Sequence, residues 1–260
     1  MDVREIVGYT EYKKGYIRKR RILRMLMLIT GLASLMLIVL TYYGHSAGNF
    51  VIKISEEANR SIAISTTYQG LQNDPKTRLQ TLGVIDASDM TLTQIPVETV
   101  FDNPGTYVDP NFNYLAYSFY CMNVGTRAGT LSYSIRIEDN IKDVDLAIRV
   151  MTVEEDVRGE NRLQTVWRRA DPVIDELLMN TPQSVKDNDL WMKWEQNSLE
   201  FLSTNIVFNR SIENFTPRQY RRFSIFIWIE GNDPDATEKI LGGRIKMSMV
   251  LSINPEDIEG

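Results

Sequence analysis

Three segments of the chain alternate apolar and polar residues with the period of two that is typical of strands buried on one face. They are residues 130–138, 222–230 and 244–253. The alternation predicts apolar faces made of Leu131, Tyr133, Ile135 and Ile137 in the first segment, of Phe223, Ile225, Ile227 and Ile229 in the second, and of Ile245, Met247, Met249 and Leu251 in the third.

Shorter segments extend this prediction over most of the chain. Strand-like patterns also occupy residues 49–54, 61–65, 114–124, 146–153 and 205–208. The turn residues between positions 123 and 129 favour an antiparallel hairpin that joins strand 114–124 to strand 130–138. Seven or more strands without a repeating strand-helix-strand rhythm predict a β-sandwich.

Residues 155–203 differ from the rest, because they are more polar and follow a weak helical spacing. Asp171 is placed to cap a short helix that has Pro172 at its first position. We therefore predict one domain over residues 48–255, with a partly helical insertion at about 155–203.

The N-terminal region carries a different signal. Residues 25–43 contain no charged side chain, and a basic stretch that includes Arg20, Arg21 and Arg24 precedes them. An uncharged helix of about 20 residues matches the hydrocarbon core of a bilayer, and basic flanks favour the cytoplasmic side. The pattern predicts a basic cytoplasmic tail at 1–24, a single transmembrane helix at 25–43 and an extracellular domain beyond it.

A cleaved secretory signal is the alternative for the same segment. Its apolar run is longer than is usual for such signals, and the one candidate cleavage site, His45-Ser46-Ala47, has a large residue at its first position. Cleavage near Ala47 would leave a secreted domain without an anchor. Both alternatives place the domain outside the cell.

The charge distribution bears on the choice of partners. The first 24 residues carry eight Lys or Arg and three Asp or Glu, a net charge of +5, so the remainder carries −10 of the total of −5. An acidic domain is unsuited to nucleic acid, because affinity for phosphates comes largely from clustered Lys and Arg.

The single cysteine, Cys121, excludes an intramolecular disulfide and lies in an apolar stretch typical of a buried thiol.

Catalytic chemistry is hard to assign. His45 is the sole histidine and lies beside the apolar segment, so zinc sites of the HExxH type, Ser-His-Asp triads and Cys-His dyads lack their base in the domain. A hydrolase built on two carboxylates stays open, but no spacing identifies the pair. We therefore predict no catalytic residues, no cofactor and a non-enzymatic protein.

Two binding sites stay open as alternatives. The acidic loop at 230–238 offers Asp233, Asp235 and Glu238 as oxygen ligands for Ca²⁺, although the same residues are typical of a solvated turn. Three tryptophans could form a platform for a glycan or could equally pack in the core. They are Trp191, Trp194 and Trp228.

Several motifs carry a resemblance to a known group. They are Tyr114-Leu115-Ala116-Tyr117-Ser118-Phe119-Tyr120, Asn123-Val124-Gly125, Val144-Asp145-Leu146-Ala147-Ile148-Arg149-Val150, Gly48-Asn49-Phe50 after the apolar segment, residues 227–235 and residues 242–247. With these motifs, residues 48 to about 253 resemble uncharacterised exported proteins of Gram-positive bacteria that look like the camelysin and TasA-like surface and biofilm-matrix proteins.

The resemblance implies a jelly-roll-like sandwich and, for the matrix members, fibres built by donation of an N-terminal strand to the next subunit. The chain departs from the group at its poor cleavage site and at Ala236, where the group commonly has Cys. Some members carry a metalloprotease label, which a domain without histidine does not support. The matching donor strand in this sequence would consist of Asn49, Phe50, Val51, Ile52, Lys53 and Ile54.

Together these observations predict an all-β fold, a jelly-roll or immunoglobulin-like antiparallel β-sandwich with one N-terminal transmembrane helix and a partly helical insertion. The predicted function is that of a membrane-anchored surface protein that binds a protein partner or copies of itself by strand addition. The alternative is a glycan-binding or sensory ectodomain, which would bind around Trp191, Trp194 and the 231–238 turn.

Overall fold

A computed structural model describes residues 19–20, 22–38, 50–58, 60–156 and 161–255. The chain divides into two compact units, Met1–Ala47 and Gly48–Gly260. In the first unit residues 22–38 form helix α1, whose side chains are exposed. Within the described residues no helix is both long enough and apolar enough to cross a membrane. Most of the predicted basic tail, residues 39–43 of the predicted span and the candidate cleavage site at 45–47 lie outside the described residues.

The second unit is rich in strands, which form two sheets. The five-stranded sheet has the order β11-β7-β13-β1-β3. Its strands are β1 (Phe50–Ile54), β3 (Arg78–Gln80), β7 (Gly129–Ile141), β11 (Ile206–Phe215) and β13 (Arg244–Pro255).

The eight-stranded sheet has six strands in the order β10-β9-β8-β12-β6-β2, with two short strands added. The six are β2 (Ile62–Ser65), β6 (Leu115–Asn123), β8 (Ile148–Asp156), β9 (Leu163–Arg168), β10 (Leu199–Glu200) and β12 (Tyr220–Glu230). The added strands are β4 (Asp89–Met90), which pairs with β12, and β5 (Gly105–Tyr107), which pairs with β6.

Five short α-helices lie in the part of this unit that the structure describes. They are α2 (Tyr68–Asn73), α3 (Val97–Asp102), α4 (Pro172–Asn180), α5 (Gln183–Asn188) and α6 (Leu190–Glu195). The predicted cap of α4 is confirmed, because Asp171 accepts a hydrogen bond from the Val173 amide and Pro172 occupies the first position.

The main core contains the apolar faces of both sheets. The predicted inward residues of β7, among them Leu131, Tyr133 and Ile135, are buried, as are Phe223 and Ile225 of β12. The stacked rings of Phe119 and Phe223, 5.4 Å apart, join β6 to β12 inside this core. The alternation therefore predicted these faces correctly.

A second apolar cluster covers the opposite face of the eight-stranded sheet. Phe226 and Trp228 of β12 and Met151 of β8 contact Val100 and Phe101 of α3. Because this sheet is buried on both faces, its central strands contain uninterrupted apolar runs such as residues 225–229 of β12. That explains why β12 carries Phe226 and Trp228 on the face opposite to the core residues Phe223, Ile225 and Ile227.

The predicted hairpin between 114–124 and 130–138 is wrong. Strand β6 pairs with β12, β2 and β5, whereas β7 pairs with β11 and β13 in the other sheet. The turn after Asn123 therefore carries the chain from one sheet to the other. Asn123 is fully buried there, and its side-chain amide donates to the carbonyls of Arg127 and Phe215. Two strands that follow one another in the chain can bury their apolar faces in the same core whether they lie in one sheet or in opposite sheets. The apolar pattern alone therefore does not distinguish a hairpin from a crossing between the sheets.

Two further predictions need correction. The sheets are mixed and not purely antiparallel, because β1 with β13, β9 with β10 and β4 with β12 pair in parallel. The segment 155–203 carries the predicted helices but also contains β9, which pairs with β8. Strand β9 looked polar because Thr165 and Arg168, both buried, are part of its sequence.

Candidate functional site

An arginine lies at the centre of a buried ionic cluster. Strand β8 directs Ile148 and Val150 into the main core and places Arg149 on the opposite face, where only 1% of it is exposed. Its Nε donates to Oε1 of Glu195 at 2.7 Å, and its Nη2 donates to Oδ2 of Asp233 at 2.7 Å. Burial opposes the charge of the guanidinium, but the two carboxylates outweigh it and raise the pKa of Arg149 above its ordinary value. Arg149 is therefore held as a cation.

A second buried arginine extends the cluster toward the helical insertion. Arg168, the last residue of β9, contacts Asp175 of α4 in an ion pair. Its Nε lies 3.4 Å from Oε2 of Glu195 without a hydrogen bond between them. Glu195 thus lies between two guanidinium groups and connects α6 to β8 and β9.

Three aspartates meet beside this cluster. One carboxylate oxygen from each of Asp171, Asp233 and Asp235 lies within 4.8 Å of the other two. Burial, and then the charges of Asp171 and Asp233, raise the pKa of Asp235. The structure thus brings two of the predicted ligands, Asp233 and Asp235, together with Asp171. It leaves the third, Glu238, exposed at the start of a 3₁₀ turn and outside this group.

Glu230 is another buried carboxylate near the same end of the sheet. Its Oε2 accepts a hydrogen bond from Nε1 of Trp228 at 3.1 Å, and its Oε1 accepts one from the Asn232 amide at 3.3 Å. Burial raises the pKa of Glu230 to about 7, although both hydrogen bonds and the charge of Arg149 act against this rise. The side chain can therefore change its protonation state near neutral pH.

The three tryptophans of the predicted platform differ in burial. Trp228 is buried in the second apolar cluster, Trp194 of α6 is partly buried and packs against the same cluster, and Trp191 of α6 is partly buried. Cys121 is fully buried in the main core, as predicted, and burial raises the pKa of its thiol.

The predicted donor strand forms part of the five-stranded sheet. Phe50, Ile52 and Ile54 of β1 point into the main core, while Val51 and Lys53 lie on the other face. Strand β1 pairs in parallel with β13 from Phe50↔Met247 to Ile54↔Leu251, and antiparallel with β3. The Phe50 carbonyl also accepts hydrogen bonds from the amide and the hydroxyl of Thr81, both at 3.1 Å. Asn49 lies outside the described residues.

Strand β11 forms an edge of the same sheet. Among the described strands it pairs with β7 alone. Its register shifts between Ile212 and Phe215, where Asn214 has a φ of +52°. A bulge of this kind twists an edge and limits the pairing of another chain with it.

The ionic cluster is not predicted by the residue pattern. Arg149 lies on the face of β8 that points away from the main core, in a second buried layer that the sequence analysis does not predict. The available signal is the position of Arg149 between Ala147 and Met151 on one face of the strand. Glu195 and Arg168 lie in segments that look solvated, and Asp171 was identified only as a helix cap.

Comparison with protein-family models, with curated proteins and with solved structures found no match for this chain. The resemblance to camelysin and TasA-like proteins therefore stays a prediction.

Proposed function

We propose that this protein is a non-enzymatic surface protein whose β-sandwich joins a protein partner or further copies of itself by exchange of strand β1. The observation that carries the proposal is the pairing of β1. This strand contributes three apolar residues to the core, yet it pairs with β13 and β3 and forms a hairpin with neither.

The contacts of β1 can be made equally well by the same strand of another copy. Its main partner, β13, lies at the other end of the domain in sequence, and more than twenty residues separate β1 from β3. The exchange of an identical element between copies conserves every contact, so its cost comes mainly from association and from the rearranged linker. A head-to-tail exchange that does not close into a ring generates a fibre.

The N-terminal segment supports export in this proposal. Its basic flank and uncharged apolar run favour a single-pass membrane protein with its N-terminus in the cytoplasm and its domain outside. A retained segment would hold β1 close to the lipid, whereas cleavage near Ala47 would release the strand together with a secreted domain. The two-sheet arrangement also supports placing the domain among jelly-roll or immunoglobulin-like sandwiches.

A pair of introduced cysteines tests the exchange. Lys53 on β1 and Val250 on β13 are direct partners in the register and face away from the core. We expect oxidation of the full-length Lys53→Cys, Val250→Cys variant to give covalent dimers and longer ladders on a non-reducing gel. A domain that keeps its own β1 gives an internal disulfide and a monomer band. Free thiols are alkylated during denaturation, because Cys121 becomes accessible there.

The matched control moves one cysteine to a strand that the proposal leaves in place. In the Ser134→Cys, Val250→Cys variant the disulfide joins β7 to β13, which are direct partners at these residues. This variant should give monomers only. Monomers from both variants at every protein concentration, in vitro and on cells, would reject strand exchange.

Export is tested separately. Protease added to intact cells should remove the C-terminal domain of the full-length protein, and fractionation should recover the protein with membranes or in the medium. Full-length protein that is soluble in the cytosol and protected from the protease would contradict this part of the proposal.

A further inference from the structure

We propose that Asp171, Asp233 and Asp235 form a Ca²⁺ site, which links the insertion to the eight-stranded sheet. The inference does not depend on strand exchange. It starts from the convergence of two distant segments, since Asp171 precedes α4 and the other two residues belong to the loop after β12.

The spacing of the oxygens suits a calcium ion. Ligand oxygens lie about 2.3–2.6 Å from Ca²⁺, so two oxygens on one ion are at most about 5 Å apart. The three carboxylate oxygens lie within 4.8 Å of one another and satisfy this bound. Mg²⁺ holds its ligands at about 2.0–2.1 Å in a nearly ideal octahedron and keeps several waters, so a largely buried group of three carboxylates suits it less well.

A buried oxygen without a partner is the second, independent observation. Asp171 is only 5% exposed. Its Oδ1 caps α4 through the Val173 amide, but among the described residues its Oδ2 has no hydrogen-bond partner. A buried carboxylate oxygen without a protein donor is costly unless a cation, a proton or solvent satisfies it. Asp171 therefore points to a missing ligand in this group.

The nearby guanidinium groups form their ion pairs with other carboxylates, although the charges of Lys239 and Arg149 partly offset that of Asp235. Arg149 is engaged by Glu195 and Asp233, and Arg168 by Asp175 and Glu195. Within the described part of the chain, neither Asp171 nor Asp235 has a basic nitrogen within 4.0 Å. A divalent cation would neutralise the excess negative charge, and it would share Asp233 with Arg149.

Because Arg149 is so close, we expect weak binding. Calcium sites of extracellular modules have dissociation constants of about 10⁻⁴–10⁻³ M, and this site belongs to the same range. The ion would connect the first turn of α4 to the loop after β12. Binding should therefore stabilise the folded domain, because it joins segments that are far apart in sequence.

The test uses full-length protein in detergent, stripped of metal with a chelator, and measures CaCl₂ binding by calorimetry together with the Tm. At 100-fold excess over the dissociation constant we expect the Tm to rise by about 5 °C or more. Asp171→Asn should weaken Ca²⁺ binding at least tenfold. Because Asn caps helices as well as Asp does, this variant should fold normally without metal.

The matched control is Asp189→Asn. Asp189 is an exposed cap of α6 that accepts a hydrogen bond from the Met192 amide and lies outside the aspartate group. Its replacement should leave Ca²⁺ binding unchanged. Asp235→Asn, which removes a ligand without touching a helix cap, should weaken binding as Asp171→Asn does.

Several results would overturn the inference. One is an unchanged Tm and no binding heat up to 10 mM CaCl₂, a concentration about tenfold above the weakest expected dissociation constant. Equal binding by the wild type, Asp171→Asn and Asp235→Asn would place any calcium elsewhere. A higher Tm of Asp171→Asn without calcium, with no response to calcium in the wild type, would mean that the aspartates merely repel one another.

Discussion

The main core and the ionic cluster are both buried, yet they are built in opposite ways. The core is assembled from alternate residues of many strands, and each buried apolar side chain contributes separately to the free energy of unfolding. The ionic cluster depends on a few charged groups from four segments, around Arg149, Arg168, Glu195 and Asp233. Loss of one methyl group from the core leaves the other contacts in place, whereas loss of one charge from the cluster leaves its partners buried and unpaired.

The largest expected effect is the loss of the central cation. Arg149→Met should lower the free energy of unfolding by about 3–5 kcal/mol, because Asp233 would stay buried without its counter-charge and Glu195 would keep only its longer contact with Arg168. Urea denaturation of the wild type and the variant measures this difference. Adding Glu195→Gln and Asp233→Asn to Arg149→Met should recover at least half of the loss. A cost below 1 kcal/mol for the single variant would mean that the cluster is not sealed from water.

The next effect is a dependence on pH caused by Glu230. The pKa of this side chain rises from 4.5 in the unfolded chain to about 7 in the folded protein, so below pH 4.5 it is protonated in both states and has no effect. As the pH rises toward 7 the unfolded chain ionises first, and the folded state loses up to about 3 kcal/mol of stability relative to it. Above pH 7 the loss levels off.

Glu230→Gln should remove this loss. Subtracting the stability profile of the variant from that of the wild type, between pH 4 and pH 8 in EDTA, isolates Glu230 from the other carboxylates. The wild type should lose stability relative to the variant across this range. Parallel profiles would show that the carboxyl keeps its ordinary pKa.

A conservative change in the main core should cost less. Ile135 is fully buried on β7, and Ile135→Val removes one methylene group. We expect a loss of about 0.5–1.5 kcal/mol in urea denaturation, with an unchanged m value. A cost as large as that of Arg149→Met would remove the distinction between the two regions.

The smallest change in stability is expected from removal of an exposed arginine–carboxylate ion pair. Arg162 donates to Glu98 at 2.8 Å, and the Glu98 side chain is 74% exposed. Arg162→Met should change stability by at most about 1 kcal/mol, because solvent screens the pair. Arg162 also lies over the ring of Phe101, a contact that the Met side chain partly replaces. This variant therefore serves as the control for burial in the comparison with Arg149→Met.

The same contrast explains which parts of the fold could be predicted. Strands β7, β12 and β13 each direct alternate residues into the main core, so the period of two identified them. The pairing of β6 could not be predicted, because its buried residues face two layers and carry no information on the partner strand. Strand β9 was missed because its end, Arg168, is a charged residue inside the protein.

The aspartate group shows the corresponding limit for sites. The dense acidic loop in the sequence predicts Asp233, Asp235 and Glu238 as oxygen ligands, and the structure brings the first two together. Asp171 lies 62 positions before Asp233, and nothing local connects the two residues. Convergence of side chains from distant segments depends on how the sheets and helices pack, which residue spacing alone does not determine.

The parallel pairing of β1 with β13 has a consequence for biosynthesis. The first strand emerges from the ribosome about 200 residues before the strand that completes its ladder, and at about 5–20 residues per second this delay lasts on the order of ten seconds or longer. Throughout that time the nascent chain exposes Phe50, Ile52 and Ile54. A chaperone or the translocation machinery would have to shield these residues, and crowded nascent chains would have the best opportunity to pair with one another.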